Sequence, residues 1–414
     1  MSAEAYTITL RPGFPDLVDL NWSDSITEWA DPRMVDLPRG ISRHEVRFIA
    51  TSQGIYAIKE LPRMAANKEY GILRELEELA GPAVIALGLV LRPPLDPHSE
   101  QSAALITRYV EHSFSYRELL SGPGFGPRRT QMLDAFAGLL AELHLLGCYW
   151  GDCSFSNVLY RYDAGSIEVT LVDAETSEIH PELSDGQRRQ DIEIMIENAG
   201  AEMADIAASH GLSVEQADLL IGHDIAARYD ALWSELAGVE RVPSDQYFKV
   251  TERVKHLNDL GFEVSDIEMA PHPDRGHLHL KIHVADRNYH SNRLRELTGI
   301  EAGENQARQI LADLRYFTAK QPAEASATEK ARALLALRWR VEAFEPTMRK
   351  LREHIGDADP IEAYTDLLHH RYLKSAEAGR DLGTAAALED WIAVGMPGYA
   401  ITAESSRTPP EDAT

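Results

Sequence analysis

The spacing of apolar positions changes period several times along the chain, and each change predicts an element. From residue 31 to 61 the pattern is that of strands and turns: VRFIATSQGIYAIKEL places apolar runs on either side of Ser52-Gln53-Gly54, which predicts a hairpin. In MAANKEYGILRELEELA the period lengthens, with Ala66, Tyr70, Leu73, Leu76 and Leu79 at helical spacing and Gly81-Pro82 as the stop. AALITRYV at 103–110 reads as a buried strand, and TQMLDAFAGLLAELHLLG at 130–147 as an amphipathic helix stopped by Gly147. LYRYDAGSIEVTLVDAE predicts two short strands around a turn at Asp163-Ala164-Gly165. From Gln187 to Trp233 the pattern is helical, punctuated by Gly200 and Gly211, and GVERVPSDQY then breaks the register, which places a domain boundary near 240.

Beyond that boundary, GHLHLKIHVADRNYH alternates strictly, with His277, His279, Lys281 and His283 on one face of a strand and Leu278, Leu280, Ile282 and Val284 on the other. Lys281 sits in the middle of the histidine row and no cysteine accompanies it, so the row reads as a polar sheet face rather than a zinc site. Arg287, Asn288, His290 and Arg293 form a small cationic cluster, read as a charged helix start, with an anion-receiving role as the alternative. AGENQARQILADLRYF and EKARALLALRWRVEAF are helical, TAKQPAEASATEKA is a polar linker, and the last dozen residues read as a disordered tail.

Composition narrows the class. A chain of 414 residues suggests two to three domains at roughly 150 residues each. A net charge of −25 disfavours nucleic acid and anionic membrane surfaces as main partners. No run approaches the roughly 20 apolar residues of a transmembrane helix, and MSAEAYTITLRPGF lacks the features of a secretory signal, so a cytoplasmic protein is expected. The only two cysteines, Cys148 and Cys153, give no disulfide framework and read as small apolar filler. Oligomeric state stays open.

The candidate chemistry lies in five polar residues and their order. In YWGDCSFSNVL, Asp152 precedes Asn157 by five positions, and Asp173 follows sixteen further on in LVDAE. Upstream, Lys59 ends the strand YAIKE and Glu69 lies ten residues beyond it on the next helix. Each alone is ordinary: a strand-end lysine, a Gly-Asp turn, a helix cap. Together they match what ATP-dependent phosphoryl transfer requires, because such a catalyst mostly positions and neutralises phosphate charge. Lys59 suits the phosphates, and Glu69 suits holding that flexible side chain in one pose. Asn157 and Asp173 offer the oxygen ligands that Mg²⁺ prefers, and Asp152 is left to take the proton of an acceptor hydroxyl.

HLLGCYWGDCSFSNVL, KEYGILREL and LVDAE together resemble the protein-kinase-like fold over residues 35 to 235, and within it the small-molecule and lipopolysaccharide-kinase-like branch. The whole chain looks like a bacterial family of such proteins with an uncharacterised C-terminal domain. The resemblance implies an α+β class: a two-lobed fold with an antiparallel-sheet N-lobe and a mainly helical C-lobe, then a separate α+β domain. The expected division is an N-terminal extension at 1–34, N-lobe at 35–104, C-lobe at 105–239, C-terminal domain at 240–402 and tail at 403–414. It also implies ATP and Mg²⁺ as cofactors, Asp191 as a brace beneath the catalytic loop, and Thr107, Arg108 and Tyr109 as a hinge touching adenine through backbone groups.

Three departures qualify the pattern. LPRGISRHEV carries no G-x-G-x-x-G, so cover over the phosphates is expected from Gly40 and Ser42, helped by Arg43. Ser154 stands where protein kinases carry a lysine, so another cation, Arg43 or Arg161, must serve. Seventeen residues separate Asp173 from Asp191, too few for a peptide platform. The expected function is therefore a phosphotransferase acting on a non-protein hydroxyl, of a sugar, glycolipid or envelope-related small molecule. The alternative is a catalytically silent kinase fold acting as a nucleotide-binding scaffold through its C-terminal domain.

Overall fold

In the computed structural model, which describes residues 6–37, 44–94, 101–120, 126–211, 213–243, 246, 248–271, 277–321, 328–356 and 358–398, the first strand-rich region is one antiparallel sheet. The chain divides into two compact units, one of residues up to 161 and from 168 to 238, the other of residues 162–167 and those from 239 onward. The tip of one hairpin thus groups with the second unit, which no linear boundary anticipates.

The first unit begins with β1 (Thr7–Leu10), β2 (Met34–Val35), β3 (Val46–Thr51), β4 (Gly54–Pro62), α1 (Arg63–Glu78), β5 (Ala86–Leu91) and β6 (Gln101–Arg108). The strand order is β1-β5-β6-β4-β3-β2. The expected hairpin at 52–54 is present, with Thr51 opposite Gly54. Residues 7–10 pair with β5, so the segment taken as an extension supplies an edge strand. It also supplies core: Leu17, Trp22, Ile26 and Trp29 pack against Ile49, Ile58, Val90 and Ile106 on one face of the sheet. The expected lobe boundary at 104/105 falls inside β6, whose pairing with β4 and β5 runs on to residues 107 and 108.

On α1 the buried residues are Ala66, Glu69, Leu73 and Leu76, spaced three, four and three apart. Tyr70 is half-buried and Leu79 is exposed, so the buried stripe keeps Ala66, Leu73 and Leu76 as predicted and takes Glu69 in place of Tyr70. A carboxylate has taken a core position on the helix.

The mainly helical part follows: β7 (Ser113–Phe114), α2 (Tyr116–Leu120), α3 (Gly126–Leu145), β8 (Cys148–Tyr149), β9 (Val158–Asp163), β10 (Ser166–Leu171), β11 (Glu178–Ile179), α4 (Asp185–Ser209), α5 (Gln216–Leu219) and α6 (Ile221–Ala237). Gly200 does not interrupt α4, which starts at a capping box between Ser184 and Gln187. Gly147 ends the turn after α3 at φ +77°, and a Cβ there would lie 1.9 Å from the His180 carbonyl oxygen. Only glycine lets β8 and β11 pair at that distance. Among the described residues no helix is long and apolar enough to cross a membrane.

The second unit contains β12 (Glu240–Pro243), α7 (Phe248–Asp259), β13 (Val264–Pro271), β14 (His277–Val284), α8 (Tyr289–Thr298), α9 (Glu304–Ala319), α10 (Glu329–Trp339), α11 (Glu345–Arg352), α12 (Pro360–Ala378) and α13 (Gly383–Ala393). Its strands are antiparallel in the order β12-β14-β13. Its core is helical, built on Leu294, Ile310, Trp339, Phe344, Tyr364 and Trp391. An antiparallel sheet, a mainly helical region and an α+β region follow one another in the expected order. Residues 322–327 of the expected linker and the expected tail at 403–414 lie outside the described residues.

Candidate active site

Alternation along β4 decides where its side chains go. Tyr56 and Ile58 are buried in the Trp22 core, while Ala57 and Lys59 point the other way and line a cleft of about 310 Å³. Lys59 Nζ lies 3.1 and 3.0 Å from the two Glu69 carboxylate oxygens and 2.8 Å from Asp173 Oδ2. Three residues distant in sequence are thus joined on one ammonium. Asp173 is carried there by β10, whose last residue, Leu171, exchanges backbone hydrogen bonds with Pro82 and Val84 at 2.8 and 2.9 Å.

One cation between two carboxylates sets their titration. Burial pushes the Glu69 carboxyl up to about 7, more than Lys59 pulls it down, since its side chain is 0 % exposed. Burial, the largest single influence, opposes ionisation of Asp173, but the Lys59 charge and hydrogen bond together with the Glu175 N–H outweigh it and hold the carboxyl below its ordinary value. The lysine, desolvated yet flanked by both acids, is raised above its ordinary value. Glu69 is therefore the member that takes up a proton first.

The loop after α3 is gripped from beneath by Asp191. Its Oδ2 accepts from the Trp150 N–H at 2.7 Å and its Oδ1 from the Gly151 N–H at 2.8 Å. His144 Nε2 lies 3.1 Å from the same Oδ2, and its Nδ1 lies 2.8 Å from the Tyr229 hydroxyl. A carboxylate can only accept, so Nε2 carries the proton and Nδ1 accepts from Tyr229. Burial lowers the His144 pKa in spite of Asp191, keeping the imidazole neutral. Thr176 and Ser177 hydroxyls donate to the Trp150 carbonyl at 2.8 and 3.2 Å, and the Trp150 ring stacks on Phe136. The loop is fixed on both sides.

Within it, Asn157 Nδ2 donates to the Asp152 carbonyl at 2.9 Å and to its Oδ2 at 3.3 Å. The amide nitrogen is spent inside the loop, which leaves Oδ1 as the atom able to face a cation. The Val172 N–H donates to the Asn157 carbonyl at 3.0 Å, so Asp173 follows directly on a residue bonded to Asn157. One carboxylate and one amide oxygen fit Mg²⁺, which takes few protein ligands and keeps waters and phosphate oxygens. Both residues line the Lys59 cleft.

Above the loop, the cleft is apolar, lined by Val46, Phe48, Ala57, Val84, Leu105 and Val172. Thr107, Arg108 and Tyr109 also line it, and Tyr109 packs edge-on against Phe48 with ring centroids 5.4 Å apart. Two backbone donors of this stretch are already used. The Arg108 N–H donates to the Ile85 carbonyl and the Tyr109 N–H to the Ile55 carbonyl, both at 2.9 Å, so neither donor is left for a base. Val110, the next residue, also lines the cleft and went unnoticed in the sequence.

Gly40 and Ser42, and with them Arg43, lie outside the described residues. Arg161 is bound to Glu168 at 2.6 Å on the β9–β10 hairpin and is absent from the cleft lining. His44 does line it, with Nε2 2.9 Å from Glu175 Oε2. Ser154 is buried, its hydroxyl 3.1 Å from that of Ser156. Two further residues were missed in the sequence. Asn198 Nδ2 donates to Asp152 Oδ1 at 3.2 Å and to the Cys153 carbonyl at 3.1 Å, while Glu202 accepts from the Phe155 and Ser156 N–H groups, both at 2.9 Å. Their spacing from Asp191, seven and eleven residues, was the available signal.

In the second unit, His277 is 3.3 Å from Arg241 and His283 is 3.5 Å from Glu268. Among the described residues no group of three or more His, Cys, Asp or Glu side chains is arranged for a metal. The cationic cluster is taken up internally: His290 bonds Glu304 at 2.6 Å, Arg293 pairs with Glu296 at 3.0 Å, and Arg287 lies over Phe262. Cys148 and Cys153 are buried, and burial pushes the Cys148 thiol up to about 12.

Residues 49–208 match the Lipopolysaccharide kinase (Kdo/WaaP) family, and residues 231–396 match a domain of unknown function, DUF4032. No curated protein matches the sequence. Solved structures that align include WaaP in complex with acyl carrier protein, at 13 % identity and TM-score 0.35, covering 61 % of this chain and 98 % of that one. The Rio2 kinase–ADP/Mg²⁺–phosphoaspartate complex from Chaetomium thermophilum aligns at 13 % identity and TM-score 0.29, covering 55 % and 71 %.

Proposed function

We propose that this chain, which joins a kinase-like region of the lipopolysaccharide-kinase branch to a C-terminal domain of unknown function, transfers the γ-phosphoryl group of Mg-ATP to a hydroxyl of a sugar or glycolipid. The observation that carries this reading is Lys59 Nζ at 3.0 Å from Glu69 and 2.8 Å from Asp173, beside a loop presenting Asp152 and Asn157. An ammonium so held needs no reorganisation to meet phosphate charge. The apolar cleft excludes water around the base, and Lys59 engages the phosphates.

Asp173 and Asn157 would hold Mg²⁺, which would supply charge neutralisation at the phosphates. Asp152 orients the acceptor hydroxyl and accepts its proton as the hydroxyl oxygen bonds to the γ-phosphorus. The bond from that phosphorus to the β,γ-bridging oxygen breaks, ADP leaves, and Asp152 returns its proton to solvent. The family match supports a sugar or glycolipid acceptor, and the short stretch from Asp173 to Asp191 supports a non-protein one. We place the reaction in the cytoplasm, where ATP is available.

Calorimetric titration with ATP, with and without Mg²⁺, tests the reading. Metal-dependent binding is expected in the wild type and its loss in Asp173→Asn and Lys59→Ala, whereas Asp152→Asn should bind nucleotide but lose slow ATP turnover. A wild type without metal-dependent binding refutes the enzyme and leaves a silent scaffold.

A further inference from the structure

Helix α4 contacts the catalytic loop through a single polar stripe. Asp191, Asn198 and Glu202 stand seven and four residues apart, an interval that puts all three on one helical face. Taken in order they serve the loop from end to end. Asp191 receives the N–H groups of Trp150 and Gly151, Asn198 reaches Asp152 and Cys153, and Glu202 receives the N–H groups of Phe155 and Ser156. Two of these contacts fix backbone. The middle one alone touches the Asp152 side chain.

The direction of the Asn198 amide is fixed by chemistry. Both atoms near its nitrogen, Asp152 Oδ1 at 3.2 Å and the Cys153 carbonyl at 3.1 Å, are acceptors, so the NH₂ end must face the loop. On the other side Asn157 Nδ2 lies 3.3 Å from Asp152 Oδ2. Each oxygen of this half-buried carboxylate is therefore held by one neutral amide. A carboxylate pinned at both oxygens cannot rotate about its terminal torsion, which is otherwise broad. It retains further lone pairs for an incoming hydroxyl.

We infer that Asn198 is a positioning residue for phosphoryl transfer, setting the plane of the Asp152 carboxylate against the acceptor hydroxyl; this rests on Asp152 acting as the base. Asn157 belongs at once to the loop and to the cation site. Asn198 comes from the helix beneath and bonds the carboxylate and the adjoining Cys153 carbonyl but is not one of the residues lining the nucleotide cleft, so its effect falls on the transfer step and not on the nucleotide.

The test uses the full chain, with Mg-ATP as the probe and slow turnover of ATP as the readout, since that needs no identified acceptor. Asn198→Ala should lower kcat about 10- to 100-fold, the loss expected of a misplaced reacting group, with KM for ATP within about twofold. Asn198→Gln, which keeps the donor one methylene further out, should recover part of the loss. Asn198→Asp, placing a second carboxylate against Asp152, should be at least as slow as alanine. In an Asp152→Asn background, Asn198→Ala should change residual turnover by less than about twofold, because a residue acting through Asp152 has nothing left to position.

The inference is overturned where Asn198→Ala turns over like the wild type, where kcat and ATP binding fall together, or where the full factor persists in the Asp152→Asn background, the mark of a general structural role. Calorimetric Mg-ADP binding by each variant shows that the site has folded. A wild type with no ATP turnover, or an Asp152→Asn variant as active as wild type, overturns the kinase reading and this inference with it. An inert Asp152→Asn beside a fully active Asn198→Ala overturns the inference alone.

Discussion

Asp191 has no exposed surface and receives three donors at 2.7, 2.8 and 3.1 Å, two of them backbone N–H groups of the loop that carries Asp152. Asp191→Ala leaves all three donors without their acceptor. Each buried donor left without a partner costs about 1–3 kcal/mol, partly offset because a desolvated charge is removed as well, so a loss of about 3–5 kcal/mol is expected. Asp191→Asn is milder: with its Oδ1 in the place of Oδ2 it still accepts from Trp150 and His144, and only the Gly151 N–H faces a donor. One mismatched pair and weaker bonds amount to about 2 kcal/mol. At about 2–4 °C per kcal/mol for domains of this size, the melting point of the first unit should fall by about 6–20 °C in the alanine variant and about 4–8 °C in the asparagine variant. Scanning calorimetry measures the shift, and amide exchange at Trp150 and Gly151 shows whether the loss is local to the loop. An alanine variant that melts within about 2 °C of wild type, with both amides still protected, refutes the claim that this carboxylate holds the loop.

Two pH effects follow from the buried groups. Glu69, with its folded pKa raised to about 7, holds a proton in the native state that the unfolded chain has released, so its contribution to stability declines as pH rises from the ordinary carboxylate range towards 7. Lys59→Met removes the compensating charge and should sharpen this decline, destabilising by about 3–5 kcal/mol at alkaline pH and by less in acid, with Glu69→Gln added to Lys59→Met abolishing most of the difference in urea midpoints. A double variant no more stable than the single one at high pH contradicts it. His144 works in the opposite sense. Its folded pKa is depressed by burial, so the unfolded chain binds the proton more readily and stability should fall as pH drops through the ordinary imidazole range. His144→Gln, which can still donate to Asp191, should flatten that acid limb in urea titrations, and an unchanged slope counts against a neutral buried imidazole.

Local pattern was enough to place Lys59 on a strand, Glu69 on the next helix and Asp173 after an apolar strand, because period and turn chemistry act over a few residues; it did not place the strand's end, since β4 runs past Lys59 to Pro62. It could not choose the second buried position of α1. Tyr70 and Glu69 are adjacent, and whether an aromatic ring or a carboxylate turns inward depends on an ammonium arriving from β4. Nor did it reveal the part played by residues 7–29. Trp22 and Trp29 show no periodicity because their burial comes from a sheet built mostly of later residues.

Asn198 and Glu202 were hidden for a related reason: polar residues on a helix look solvated until a loop turns its own donors and carboxylate towards them. Order along the chain singled out five polar residues that the fold brings to one cleft and the loop bordering it, since charge type, strand and helix are written locally. The tertiary structure alone decided that two carboxylates share the lysine, that the N–H groups of Arg108 and Tyr109 are already taken, and what holds Asp152 in place, because each depends on segments far apart in sequence meeting within about 3 Å, the reach of a hydrogen bond.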